Sequence, residues 1–438
     1  MTRQPLISPG RLLPIAVLLA LAAVVVLSPI AGRGVTGEEA TFCLGFILIF
    51  AFFAARVLKS IKLPEISGYI LAGVLCGPFV MNILSLEVVR RLQIFDDVAL
   101  AVIALIAGGE IRMSFLKKGK ASILSVIGGH VLLSFVGALL VAFFARDHIA
   151  FLAGGGPRAV IAAALLLGVV TAARSPATTI GVVTETRSRG PYTDLIIGVT
   201  VILDVVVLVL AALIVPTVRA LTIPGEGFSL LFAKDLLIEV FGSIAAGVFF
   251  GSVLAAYIRW VGEQLPIFLL GVGFVGSIVC RHYHLEPLLA FMIAGFIIQN
   301  FTVMGDRLIK ALERSAMPVY VIFFAISGAS INLDALRLMW LLAIILVVMR
   351  AAAFHAGSLL AGRVVRAVRP HSKSLWLGLL SQAGVTIGIA TVFERRLPWG
   401  AELKTIVLAV VALNQLIGPI ALKFILVRRG EAGGMDRL

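Results

Sequence analysis

Asp204 lies near the middle of an otherwise apolar run, VTVILDVVVLVLAALIV. A carboxylate at mid-bilayer depth costs roughly 2.5–3.5 kcal/mol, so it must face protein or a water-filled cavity. There it can hold a proton in one state and a metal cation in another. A second oddity lies downstream, Arg350 in LLAIILVVMRAAAFHAGSLLAG. Arginine does not deprotonate in practice, so it cannot carry the proton itself. Its chemistry is to neutralise exposed helix ends, to pair with an acid, or to act directly in transport. A third feature is the stretch Thr171-Ala-Ala-Arg-Ser-Pro-Ala-Thr-Thr179, which places Pro176 and several polar residues inside an apolar segment. Proline removes a backbone donor and breaks the helix. The freed backbone groups can face an ion, but only where protein or water surrounds them. Ser175, Thr178 and Thr179, with released backbone oxygens, are the candidate partners of Asp204 around a transient monovalent cation. Arg174, in the same stretch, opposes a cation site beside it. It has three directions open: the cytoplasmic mouth, Glu185 or Glu110.

The elements that position these residues are membrane spans. The 438 residues are 60% hydrophobic and 14% charged, with a mean hydropathy of +1.10, well above the apolar share of soluble domains. The apolar runs are near the length needed to cross about 30 Å of hydrocarbon. Fourteen segments are expected, at about 12–31, 40–58, 65–84, 93–111, 121–145, 159–184, 193–217, 236–258, 265–280, 286–302, 316–333, 338–362, 374–394 and 405–427, with 265–280 the shortest. The chain is therefore expected to be an all-α polytopic membrane protein of 13–14 transmembrane helices in a lipid bilayer.

The net charge of +14 is spread over short loops between the segments, so it sets orientation and does not indicate a nucleic-acid partner. About twice as many loop Lys and Arg fall on the side holding both termini as on the other, which places both termini in the cytoplasm of a multi-pass inner-membrane protein. The first segment reads as a retained helix in preference to a signal peptide, because the run is long and the cleavage site poor. Cys43, Cys76 and Cys280 lie in apolar runs without metal or disulfide spacing. There is no HExxH, Walker or Ser-His-Asp pattern, so neither an enzyme nor a cofactor is expected.

The chain also repeats itself. LPEISGYILAGVLCGP (63–78) is echoed by LEPLLAFMIAGFIIQN (285–300), VALAVIALIAGGEIRMSFL (98–116) by MPVYVIFFAISGASINLDAL (317–336), and VVTAARSPATTIGVVTE (169–185) by LLSQAGVTIGIATVFE (379–394). The order is the same in both halves, and corresponding segments are seven spans apart. An odd offset inverts the second copy, the arrangement of many secondary transporters, whose sites lie at the repeat interface. The expected organisation is an extra N-terminal helix (1–39), a first six-helix repeat (40–217), a linker helix (218–264), a second inverted repeat (265–427) and a short cytoplasmic tail (428–438). The second copy of the broken stretch, Ser381-Gln-Ala-Gly-Val-Thr-Ile-Gly388, lacks proline; Gln382, Gly384 and Thr386 are expected to interrupt it instead. Two broken helices that cross bring like dipole ends together, and a fixed charge beside them offsets that field. A buried acid, a buried base and a broken helix together suggest an ion-coupled carrier.

The segments GYILAGVLCGP, Ser-Pro-Ala-Thr followed by the buried Asp204, VIFFAISGASINL and SQAGVTIGIA, in this order over about residues 40–427, resemble the monovalent cation:proton antiporters, the sodium/hydrogen exchanger fold. The resemblance implies a homodimer, and a core domain with two crossed broken helices moving like an elevator against a dimer domain. It implies that Asp204 binds the cation and the proton, and that Arg350 is the basic residue of the core helix preceding the second break. The family often has two acids, or Asn-Asp, where this chain has Leu203-Asp204. A single acid fits one-for-one, electroneutral exchange of Na⁺ (or K⁺ or Li⁺) for H⁺. Arg174 stands where small polar residues are usual. It is the best support for the alternative, a sodium-coupled organic-anion symporter on the same fold.

Overall fold

The computed structural model describes residues 37–146, 156–223 and 230–433. Among these residues the regular structure is helical, with no strand: α1 (Gly37–Ser60), α2 (Glu65–Cys76), α3 (Leu86–Glu110), α4 (Met113–Phe144), α5 (Gly156–Ala172), α6 (Pro176–Thr186), α7 (Pro191–Thr222), α8 (Leu230–Trp260), α9 (Leu265–His282), α10 (Pro287–Phe301), α11 (Gly305–Ala329), α12 (Leu333–Val364), α13 (Gly384–Arg396) and α14 (Gly400–Arg428). Seven described stretches are long and apolar enough to cross a membrane, one of them running across the α5–α6 break. The segment expected at 12–31 lies outside the described residues.

Packing sorts the helices into two bundles. One joins α1, α2 and α3 to α8, α9, α10 and α11; the other joins α4, α5, α6 and α7 to α12, α13 and α14. Each bundle thus takes elements from both halves of the chain. The repeat is visible in how backbones approach. A Cβ on Gly73 of α2 would lie 1.9 Å from the Ala325 carbonyl oxygen of α11, and one on Gly328 would lie 2.1 Å from that of Ile70. In the other copy, a Cβ on Gly295 of α10 would lie 2.2 Å from the Leu105 oxygen of α3, and one on Gly108 would lie 1.8 Å from that of Met292. The two crossings use equivalent residues of the echoed segments. Small residues that let backbones touch are how helices associate without a hydrophobic driving force. Gly73→Ala and Gly295→Ala should each force a crossing apart, at a cost of about 1–3 kcal/mol. Thermal unfolding in detergent should show losses of similar size for the two.

The broken segments differ from one another. Pro176 is the first residue of α6, where its missing N–H costs nothing, and Ser175 caps that helix by accepting from Thr178 N at 3.2 Å. The break is therefore sharp. The second segment was expected to be one interrupted span over 374–394. Its first half is a short 3₁₀ turn, Leu375–Leu379, followed by non-helical Leu380–Ala383 before α13 begins at Gly384. No proline sets the point of rupture; the turn hangs instead on the bonds Leu375 N→His371 O, 3.0 Å, and Leu377 N→Ser374 O, 3.1 Å.

The tail folds back. Gly190, at φ 150°, precedes α7 and has no side chain to cap it. The Glu431 carboxylate caps it, accepting from Tyr192 N (2.9 Å), Thr193 N (2.7 Å) and Thr193 Oγ1 (2.6 Å). Arg429 ties the same strap to the loop before the second break, through His371 Nδ1 at 3.1 Å, Pro370 O at 2.9 Å and Ser374 Oγ at 2.7 Å. Burial and the Arg429 guanidinium hold His371 below the usual imidazole range, against the opposing pull of Glu431. A base with a depressed pKa is fully compatible with the fold when neutral. The unfolded form takes up the proton first as pH falls, so stability declines below about pH 6.5. Hydrogen exchange at residues 430–433, corrected for its intrinsic pH dependence, should accelerate as pH drops through that range. In His371→Gln the change should vanish.

Candidate ion-binding site

The two breaks meet. Ser175 N donates to Ser381 O at 3.1 Å, joining the first non-helical stretch to the second. A transmembrane helix that stops in mid-span leaves carbonyls without partners, and Arg350 on α12 reaches across to them. Its Nε donates to Thr171 O at 2.8 Å, one terminal nitrogen to Ala173 O at 2.7 Å, and the other to Leu380 O at 2.5 Å. The matched sequences Thr178-Thr-Ile-Gly181 and Val385-Thr-Ile-Gly388 make Ala173 and Leu380 equivalent positions of the repeat. One guanidinium thus bridges the same carbonyl in both copies. Its rigid fork of donors suits this in a way a lysine ammonium does not. Gln382 adds a fourth link, donating to Val170 O at 2.6 Å while its Oε1 accepts from Asn414 of α14 at 3.0 Å.

Asp204 is 4% exposed, in the middle of α7, which packs against α5, α6 and the second broken segment. Its carboxylate has no hydrogen-bond partner among the described residues. Ser175, Thr178 and Thr179 are all buried at the start of α6. Ser175 Oγ lies 2.9 Å from Thr178 Oγ1, and Thr179 Oγ1 donates to Ser175 O at 3.0 Å. Three further hydroxyls in these elements, Thr200, Ser381 and Thr386, are buried without a partner. Thr200 escaped the sequence reading. It stands four residues before Asp204, on the same face of α7, and that spacing was the available signal. Glu286 stands at the N-cap of α10, its N–H bonded to Ser243 Oγ at 2.8 Å.

Arg174 does not turn to Glu185. Glu185 is engaged elsewhere, by Lys423 and the start of α2, and the Glu110 side chain lies outside the described residues. The Arg174 guanidinium instead turns into the seam between α4 and α12, where it donates to His130 Nδ1. Arginine only donates, so the ring proton of His130 sits on Nε2 and points at Ser358 Oγ, 2.8 Å away. Gly129 and Gly357 let α4 and α12 approach at this level. The approach brings the His130 ring onto Phe354, with centroids 4.7 Å apart. The guanidinium carbons of Arg174 and Arg350 lie 4.5 and 4.6 Å from the same ring, where its π-face attracts a cation.

A cavity of about 230 Å³ runs from this crossing towards one end of the molecule. Ser175, Pro176 and Ala383 line its floor, Gln415 and Ser327 its wall, and Ser330 and Asn332 its far end. Gln415 Nε2 donates to Ser327 Oγ at 2.5 Å, a bond between the two bundles.

One arginine thus clasps two broken segments of an all-helical membrane protein, with the buried acid Asp204 on a helix packed against both. The sequence profile of the transmembrane sodium/hydrogen exchangers matches residues 45–428, and the chain belongs to that family. It is similar to the probable Na(+)/H(+) antiporter 3 of Methanocaldococcus jannaschii, with 23% identity over 415 residues, covering 90% of this chain and 98% of the relative. Its fold is similar to that of the sodium proton antiporter MjNhaP1 from the same organism, solved at pH 8. The TM-score is 0.60 at 18% identity, over 89% of this chain and 95% of that one.

Proposed function

We propose that this protein exchanges a monovalent cation, Na⁺ in first place with K⁺ and Li⁺ as alternatives, for H⁺ by alternating access around Asp204. The observation that carries the reading is the Asp204 carboxylate, buried at mid-span with no hydrogen-bond partner among the described residues, on a helix packed against both broken segments. Family membership supports it, as do the names of both relatives. The coupling follows from charge. Deprotonated Asp204 with a bound Na⁺ is neutral, and protonated Asp204 is neutral too. Either form can cross between the two openings. The bare carboxylate cannot, because an uncompensated buried charge is too costly. One site that holds only one of two ligands therefore exchanges them one for one.

Ser175, Thr178, Thr179 and backbone oxygens of the breaks complete the cation's shell in this account, oxygen ligands being those that hard cations prefer. Arg350 offsets the negative ends of the first halves. Arg174 is bonded to His130 and stacked on Phe354, and family membership favours exchange over organic-anion symport. The excess of Lys and Arg in the loops beside both termini supports a cytoplasmic location for them in the inner membrane. The family likeness supports a homodimer.

Electroneutrality is the sharpest test of the single-acid scheme. In proteoliposomes with an imposed membrane potential, the rate of cation-driven proton movement should be the same at zero and at 100 mV. A net charge moved per cycle would feel about 2.3 kcal/mol at 100 mV and make the rate strongly voltage-dependent, which would refute one-for-one exchange.

A further inference from the structure

At the end of α6 away from the cavity, an acid of the first broken helix meets the start of α2. α2 begins Pro64-Glu65-Ile66, and Pro64 offers no side-chain cap. The carboxyl of Glu65 is taken up within its own bundle, by Lys59 and by Tyr69 Oη at 3.2 Å. The exposed N–H groups of α2 are instead met by Glu185, near the last turn of α6. Its Oε1 accepts from Glu65 N at 2.9 Å and its Oε2 from Ile66 N at 3.3 Å. Lys423 of α14 lies behind it, with Nζ 3.3 Å from Glu185 Oε1 and donating to Leu63 O at 3.0 Å. Glu185 and Lys423 are only 14% and 12% exposed, so water screens the pair weakly. Charge-assisted bonds to a helix N-terminus are among the stronger polar contacts available.

The pairing crosses between bundles. α2 packs chiefly on α1 and α11, whereas α6 and α14 belong with the breaks and Asp204. A relative shift of even one helical turn, about 5.4 Å, would part the carboxylate from both N–H groups. The cavity lies at the other end, from Ser175 up to Ser330 and Asn332. Resting on the alternating-access reading above and on its orientation, we infer that Glu185, with Lys423, is the cytoplasmic lock of an outward-open state. It is a positioning residue that must release the start of α2 each time Asp204 turns to the cytoplasm.

The lock is testable by accessibility, without any ion flux. Ser330 is exposed at the far end of the cavity, and Cys43, Cys76 and Cys280 are buried, so Ser330→Cys supplies a reporter thiol. In right-side-out vesicles, a membrane-impermeant maleimide should label it readily. Adding Glu185→Gln should slow that labelling at least fivefold, because the outward-open state loses its closure on the other side. Lys423→Met should act in the same direction while leaving the acid in place. It decides the matter if Glu185→Gln fails to fold. A purely structural role would lower the melting temperature and leave labelling of the folded protein unchanged; unchanged labelling in the folded variants overturns the lock. Absence of cation-driven proton movement would sink the exchange reading but leave the labelling result standing, and the reverse holds as well.

Discussion

Asp204→Asn should eliminate cation-dependent proton movement and leave a folded protein. Asparagine fills the same space but neither ionises nor releases a proton, so both half-reactions of the exchange disappear together. The fold does not depend on the charge, because the Asp204 carboxylate bonds to no described residue. Replacing an unpaired buried carboxylate with a neutral amide should hold the melting temperature steady or raise it, since an uncompensated buried charge is destabilising. The pair of readouts is an internal pH dye in liposomes and thermal unfolding in detergent. Flux at the level of empty liposomes with an unshifted or higher melting point is the expected result. Exchange within twofold of wild type would remove Asp204 from the mechanism.

Arg350→Met should have the second-largest effect, and here it should fall on the fold. The arginine satisfies Thr171 O, Ala173 O and Leu380 O at once, and Met would leave three carbonyls unpaired inside the membrane. Leaving a buried acceptor unsatisfied costs about 1–3 kcal/mol each, so three together are a large part of the stability of most folded proteins. Loss of a monodisperse protein, or a steep fall in melting temperature with loss of exchange, is expected. Arg350→Lys keeps the charge but gives a point donor where a fork spans two broken segments, so it should fall between. Wild-type stability in Arg350→Met would mean that the crossing is held by Gln382 and the Ser175–Ser381 bond alone.

The repeat was legible because its physics is local and doubled. Ala72-Gly73 and Ala294-Gly295 must be small for α2 and α10 to touch their partners' backbones, and that requirement shows directly in the sequence. The first break was equally legible, since Pro176 stands among polar residues inside an apolar run, where a missing backbone donor readily ends a helix; Pro216, Pro318 and Pro419, in apolar surroundings, stay inside continuous helices. The second break was foreseen only in outline. Without a proline, its point of rupture depends on turn bonds at His371 and Ser374 and on Arg350 thirty residues earlier. Arg174 shows where sequence reasoning stops. Its direction is decided by the close approach of Gly129 and Gly357, which delivers His130 and Phe354 to the break, and no spacing along the chain encodes that meeting. Glu185 is a similar case, a possible partner of Arg174 in the sequence that instead caps a helix 120 residues away. Thr200, by contrast, was there to be found at helical spacing from Asp204.

The central claim is that cation and proton exchange at one site. Purified protein reconstituted into liposomes with a preset pH gradient tests it most directly, with internal pH followed as Na⁺, K⁺ or Li⁺ is added outside. The account predicts rapid collapse of the gradient with at least one of these cations, Na⁺ foremost, at a rate that saturates with cation concentration. It also predicts that the cation concentration for half-maximal rate rises as pH falls, because the proton competes for Asp204. A gradient that persists with all three cations, in liposomes shown to hold folded protein, would contradict it.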